Sequence, residues 1–483
     1  MLSYIFGILF FGLLFLLSLK DTETKLLKSF SLFLSGTVFL YSIKLLCNFN
    51  LSNYYFQDIV RYSFNFELFN LQLVFGLDGI SLFFFILSAF LIFLCILFVF
   101  HDKSLRFLII NLFLIEILLL AVFSVLDLLF FYIFFEAILI PMFLIVGIWG
   151  SRDRKIWAVY MLFFYTICGS LLLLLGILYI YNITGTFNIE YLLNYNFSDK
   201  EQYFLWLAFF LSFASKIPVF PLHIWLPEAH VEAPTVGSVL LAGILLKLGV
   251  YGFVRFSLPL FPLGSLFFSP FVYSLCVVGV IYTSLAAIRQ IDLKRIIAYS
   301  SVAHMNLIVI GLFSFNFVGV EGAILQSVSH GFVSSALFFL IGMVYVRYHT
   351  RTLYYYGGIT QIMPIFSTFF LIFTMANIAL PGTSSFVGEF LILLGSFKAN
   401  FKVTLLVATS VVLCGSYSLW VFNRISFGNL KHHYMLSYSD LQLREFCILL
   451  PLVFFTLLLG VFPFFFLKYI HSSVIYILLS TFI

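Results

Sequence analysis

The sequence predicts an all-α integral membrane protein of about fourteen transmembrane helices, built as two inverted repeats that each contain a broken helix. Three observations point there. Hydrophobic residues make up 63% of the 483 and charged residues only 9%, too little charge to cover a water-soluble surface of this size. Apolar stretches of about 18 or more residues recur along the whole length, each long enough to cross a bilayer. Two of these stretches are interrupted by proline at related places in the two halves.

The first expected span, 2–19, opens the chain with an apolar run too long for a signal-peptide core, so no cleavable leader is expected. Spans follow at 29–47, 79–100, 107–125 and 128–148. The last of these holds FFEAILIPMF, where Pro141 frees backbone groups close to Glu136. After 156–181, the span 203–220 runs into SKIPVFPLHIWLPEAH, with Pro218, Pro221 and Pro227. Spans at 236–256, 269–288, 295–314 and 321–346 lead to 362–397, which NIALPGTSSFVGEF interrupts at Pro381 and Gly382. Backbone freed at membrane depth must be satisfied internally or line a wet cavity. The last spans are 403–423 and 446–467, and the tail from His471 to Ile483 is apolar but too short to span. No long polar linker divides residues 1–483, which read as a single membrane domain. Its parts are N-terminal helices 1–106, a first repeat 107–256, a second repeat 269–425, and a C-terminal helix and tail 444–483.

Lys and Arg in the loops set the orientation. Loops after odd-numbered spans hold sixteen of the 25, among them Lys20, Lys103, Arg152, Arg295, Arg351 and Arg444; the opposite face keeps about six, including Arg61 and Lys200. The bias places the basic loops in the matrix or cytoplasm and both termini on the other side. A net charge of +5 without a basic readout patch excludes a nucleic-acid partner. The six cysteines form no CxxC pair, so neither a disulfide framework nor a metal or iron–sulfur ligand set is expected. No Gly-rich phosphate loop is present, and redox chemistry is expected on other chains. The 67 phenylalanines suggest T-rich codons, as in many organelle genomes.

Ionisable residues inside the spans carry the functional signal, because each costs at least roughly 2.5–3.5 kcal/mol at the bilayer centre. They are Glu116, Glu136, Lys216, Lys247, His304, His330 and Glu389. Lys44, near a helix end, reads as a snorkelling side chain. Any one of the seven alone is as readily a structural ion pair; a string over seven helices reads as an ion path. Burial favours the neutral form of a lysine and a nearby carboxylate the charged form, so Lys216 and Lys247 suit a proton relay. Ser300, Ser301, Ser327 and Ser329 beside the two histidines point to a hydrated axis, while His223 and His230 flank the first break as gating or loop residues. Glu116 is either a second carboxylate near Glu136 or a packing node. Lys216 and Glu389 lie beside the two breaks, 173 residues apart, and the same offset from Glu136 reaches Val309, in the helix of His304. A duplicated unit would produce this spacing.

The segment from Lys216 to Gly252, KIPVFPLHIWLPEAHVEAPTVGSVLLAGILLKLGVYG, closely resembles the antiporter-like subunits of respiratory NADH:quinone oxidoreductase (complex I). FFEAILIPMFLIVGIWG, LKRIIAYSSVAHMN, TRTLYYYGG and LPGTSSFVGEF match in order, so the resemblance covers about residues 75 to 425. LLKLGVYG, with Lys247, looks like the subunit 4 branch. One departure is Val346, where the family commonly has an acidic residue. The resemblance implies proton translocation driven by NADH-to-quinone electron transfer in partner subunits. Glu136 would pair with Lys216, Lys247 would sit on a central axis extended by His304 and His330, and Glu389 would be the terminal group toward the outlet. It implies no cofactor on this chain; NADH, FMN, iron–sulfur clusters and ubiquinone would belong to other subunits. Partners would be the other membrane-arm subunits, sister antiporter-like subunits included, and the lipid of the mitochondrial inner membrane or a bacterial plasma membrane. The alternative is a subunit of a stand-alone multisubunit cation/proton antiporter.

Overall fold

Inside a bilayer each backbone amide must find its partner within its own segment, and the long apolar runs accordingly fold as helices. The computed structural model describes residues 1–482 apart from 52, 54, 67, 68, 100–103, 432, 433 and 435–438; Lys103 lies outside the described residues. The chain runs through α1 (Leu2–Ser18), α2 (Thr24–Cys47), β1 (Gln57–Phe66), β2 (Phe69–Leu77), α3 (Gly79–Phe98) and α4 (Leu105–Ser124). It continues through α5 (Leu128–Ala137), α6 (Leu139–Trp149), α7 (Lys155–Thr184), α8 (Ile189–Leu192), α9 (Asp199–Lys216) and α10 (Trp225–Glu232). Next come α11 (Thr235–Leu260), α12 (Pro262–Ile288), α13 (Leu293–Leu312) and α14 (Phe317–Tyr348). The chain closes with α15 (Pro364–Asn377), α16 (Ser384–Ala399), α17 (Phe401–Ser426), α18 (Leu443–Val461) and α19 (Phe464–Phe482).

Eleven helical segments among the described residues are long and apolar enough to cross a membrane, α5 and α6 counting as one. With α1 and the two broken segments, α9/α10 and α15/α16, the crossings number fourteen. Contacts between loops support that count. On one face the Ser151 amide donates to the Glu232 carbonyl at 3.1 Å, Lys294 Nζ to the Ala233 carbonyl at 2.7 Å, and Arg347 Nη2 to Glu445 Oε2 at 2.6 Å. These loops carry the Lys and Arg excess, so this is the basic face. On the opposite face the Leu126 amide donates to the Val74 carbonyl at 2.8 Å and the Ile189 amide to the Leu126 carbonyl at 3.0 Å. One miscounted helix would put such partners on opposite sides of the bilayer.

Two features lie outside the expected spans. β1 and β2 pair antiparallel on the opposite face, Val60 against Phe75 and Tyr62 against Leu73. From Val60 on, VRYSFNF alternates apolar and polar residues, the period of a half-buried strand. The last span also ends at Val461, not near 467: the chain leaves helical geometry at Phe462, beside Pro463, and the expected tail is part of a separate helix, α19. α19 packs against α3, α14 and the end of α11. The Gly79 amide donates to Ser473 Oγ at 3.2 Å, and a Cβ on Gly79 would collide with the Tyr469 carbonyl.

Candidate functional site: a buried axis of Lys, His and Glu

α11 and α14 are the most enclosed spans, and they carry Lys247 and His330. Lys247 Nζ lies 2.9 Å from His330 Nδ1 and also donates to the Ala242 carbonyl. Two π-helical stretches, Leu241–Leu245 and Phe253–Ser257, flank the lysine turn, and such widened turns often mark functional positions. The His330 and His304 rings stand 5.7 Å apart at 49°. His304 Nδ1 in turn lies 3.0 Å from Glu389 Oε1, which also accepts a 3.1 Å hydrogen bond from Gln326 Nε2. Four groups from four elements thus form one buried line, Lys247–His330–His304–Glu389.

The first half holds a separate pair. Lys216 Nζ is 3.7 Å from Glu136 Oε1, beyond hydrogen-bonding range, so their contact is Coulombic; the ammonium also lies 4.4 Å over the Phe135 ring. Pro141 cannot donate to the Ala137 carbonyl, and the span divides at Ile138, which leaves Glu136 at the end of α5. Among the described residues no hydrogen bond or ion pair joins Lys216 to Lys247. Their helices touch where Gly249 and Gly252 of α11 admit Phe213 of α9 and Ile217 just after it.

Other expected residues fall elsewhere. Glu116 is fully buried, but neither carboxylate oxygen has a hydrogen-bond partner, so the structure does not join it to the Glu136–Lys216 pair. His230 is also fully buried, stacked at 4.7 Å on Phe338 with neither ring nitrogen bonded; His223 stacks on Phe220 at 5.5 Å. Lys44 is exposed. Lys216 ends the first part of its broken helix, whereas Glu389 lies on the second part of its own. The 173-residue offset therefore does not superpose the two breaks; what recurs is one acid–base pair per half.

The axial spacing of α11 could have revealed one missed group, Arg255, eight residues beyond Lys247 and near the opposite-face end of the span. Its Nη2 meets Asp78 Oδ1 at 2.6 Å, and its Nε donates to Tyr251 Oη at 3.3 Å. Burial alone would raise the Asp78 carboxyl; the Arg255 guanidinium and bonds from Ser81 outweigh it and hold the group below its ordinary value.

A bundle with two broken spans and buried acid–base pairs in both halves defines the antiporter-like class of polytopic membrane protein. The family model described as NADH:quinone oxidoreductase/Mrp antiporter, TM matches residues 125–414. The NADH-ubiquinone oxidoreductase chain 4 of Chondrus crispus is 53% identical over 464 residues, 96% of this chain and 94% of its own. That of Marchantia polymorpha is 51% identical over 467 residues, 96% of this chain and 94% of its own. A chain of respiratory complex I from Thermus thermophilus with bound NADH is similar with a TM-score of 0.89 at 31% identity, covering 99% of this chain and 98% of that one. The chain belongs to the NADH:quinone oxidoreductase/Mrp antiporter family, among its NADH-ubiquinone oxidoreductase chain 4 members.

Proposed function

We propose that this chain is a proton-translocating membrane-arm subunit of NADH:ubiquinone oxidoreductase, a multi-pass protein of the mitochondrial inner membrane. The observation that carries the reading is the continuous buried line Lys247–His330–His304–Glu389. Each member binds and releases a proton; Lys247 contacts His330, His304 contacts Glu389, and the two tilted imidazoles lie side by side, so a proton can pass along the bundle without entering the apolar phase as a bare charge. In the first half Glu136 holds the charge of Lys216 by proximity alone. A shift of the carboxylate away from the 3.7 Å contact weakens that hold and lets the lysine release its proton inward. The division into repeats 107–256 and 269–425 supplies one such pair to each half. NADH oxidation and quinone reduction, with their FMN and iron–sulfur clusters, take place on partner subunits, and the remaining membrane-arm subunits, including the sister antiporter-like ones, are its neighbours.

The test is Glu136→Ala in the assembled complex, in native membrane vesicles. Breaking a buried pair strands the other charge, and we expect NADH-driven proton uptake to fall at least tenfold with the complex still assembled on native gels. Near-normal uptake would remove the pair from the mechanism. Cation exchange that persists without NADH or the rest of the complex would favour the stand-alone antiporter.

A further inference from the structure

On its far side from His330, His304 faces a group of polar side chains that the line above does not use. Its Nε2 lies 3.9 Å from Cys414 Sγ, and Tyr417 Oη donates to the same sulfur at 3.0 Å. The thiol donates to the Asn377 carbonyl at 3.3 Å, and the Asn377 amide approaches the sulfur at 3.8 Å. Ser300, whose hydroxyl donates to the Ile297 carbonyl at 2.8 Å, lines the same space as Tyr417. All of these side chains are buried. Burying a cluster of polar groups at mid-depth is costly unless the groups are used or satisfied.

Against this cluster lies a cavity of about 30 Å³, room for a water molecule. Its lining reaches from Leu293, the first residue of α13 at the basic face, to Asn377 and Tyr417 at mid-depth, with Thr374 and Ser300 as polar wall. Tyr417 belongs both to the cavity wall and to the contact with Cys414.

We propose that Tyr417 and Cys414 form a second inlet, which delivers protons from the basic face to His304 independently of the Glu136–Lys216 pair. The proposal rests on the proton-translocation reading above and adds a route to it. A proton arriving from cavity water binds the phenol oxygen as the phenol releases its own proton to Cys414 Sγ. The thiol passes its proton to Nε2 of His304, and His304 releases one from Nδ1 to Glu389. One proton enters, one leaves, and nothing is oxidised or reduced. Rotation of the hydroxyl and thiol hydrogens, together with return of His304 from the Nε2–H to the Nδ1–H tautomer, resets the wire.

The experiment compares four variants of the full complex in native membrane vesicles: Tyr417→Phe, Cys414→Ala, Cys414→Ser and, as control, Glu136→Ala. NADH oxidation by an artificial electron acceptor normalises for assembled complex. Tyr417→Phe keeps the ring and its packing and removes only the hydroxyl. We expect Tyr417→Phe and Cys414→Ala each to lower coupled proton uptake at least threefold. Cys414→Ser, which keeps a donor and acceptor, should retain more than half. Tyr417→Phe or Cys414→Ala within 1.5-fold of the unmodified complex overturns the inlet, as does Cys414→Ser falling as far as Cys414→Ala, which would mark a packing site. Should Tyr417→Phe fail to assemble, the two Cys414 variants decide alone. If all four variants pump normally, neither the pair nor the inlet carries the protons and the reading on which the inlet rests has failed; if Glu136→Ala is impaired while the Tyr417 and Cys414 variants are normal, only the inlet has.

Discussion

Glu389 is gripped from two sides by groups of different chemistry: the His304 imidazole, a group that can take up and give up a proton, and the Gln326 amide, which cannot. Ser329 Oγ donates to Gln326 Oε1 at 2.9 Å and so fixes the amide with its NH₂ toward the carboxylate. That arrangement separates holding Glu389 from protonating it. Glu389→Gln keeps the side chain's volume and an oxygen for Gln326 to bond, but removes the site that takes a proton. We expect the variant to assemble and its coupled NADH:quinone turnover to fall at least tenfold, measured in vesicles against assembled complex on native gels. Wild-type turnover would make Glu389 a structural hydrogen-bond node and move the outlet elsewhere. Every member of the axis was legible in the sequence, because charge within an apolar run is expensive and therefore visible. The partners were less so: Lys247 and His330 are 83 residues apart, and no spacing rule reaches that far. Tyr417, Cys414 and Asn377 do not stand out in the sequence, because tyrosine and cysteine fall in the hydrophobic class by composition and an amide carries no charge.

Proline and glycine decide what the elements can do. Pro218, Pro221 and Pro381 announce two broken spans in the sequence, and both are found. The β-hairpin and α19 were not anticipated, since a search for long apolar spans passes over short alternating strands and joins α18 to the start of α19 across Pro463. The contact between α9 and α11 depends on small residues: a Cβ at Gly252 would enter the Phe213 ring, and one at Gly249 would meet Ile217. Without such glycines helices cannot approach this closely. Overpacking a close contact typically costs about 1–3 kcal/mol, here applied between the helices that carry Lys216 and Lys247. Gly252→Val should therefore lower the yield of assembled complex at least twofold on native gels and reduce coupled turnover per assembled complex. Unchanged yield and turnover would mean that α9 and α11 adjust freely and that their spacing does not position the two lysines.

At the scale of the whole molecule, function requires a direction, and direction depends on which face meets which compartment. Sixteen of the 25 Lys and Arg lie in loops after odd-numbered spans, and the hydrogen bonds between loops sort the same loops together. The two observations are independent, one a count of charge and the other a set of contacts, and only an even number of crossings between paired loops satisfies both. The positive-inside bias then turns relative sidedness into absolute orientation: the basic face, with Arg152 and the cavity below Tyr417, meets the matrix, and the face with the hairpin, Asp199 and α19 meets the intermembrane space. Arg152 and Asp199 are both exposed; Arg152 precedes α7 at the basic face and Asp199 opens α9 at the opposite face. Arg152→Cys should react with a membrane-impermeant maleimide only in inverted vesicles, whose matrix face is outward, and Asp199→Cys only in right-side-out ones. Mass spectrometry of the peptide carrying each position distinguishes these thiols from the exposed Cys47, Cys168 and Cys447. Reversed labelling at both positions would invert the orientation and turn the Tyr417 inlet into an outlet. Labelling of both from one side would break the helix count, because α7, the one span between Arg152 and Asp199, could not then cross the bilayer.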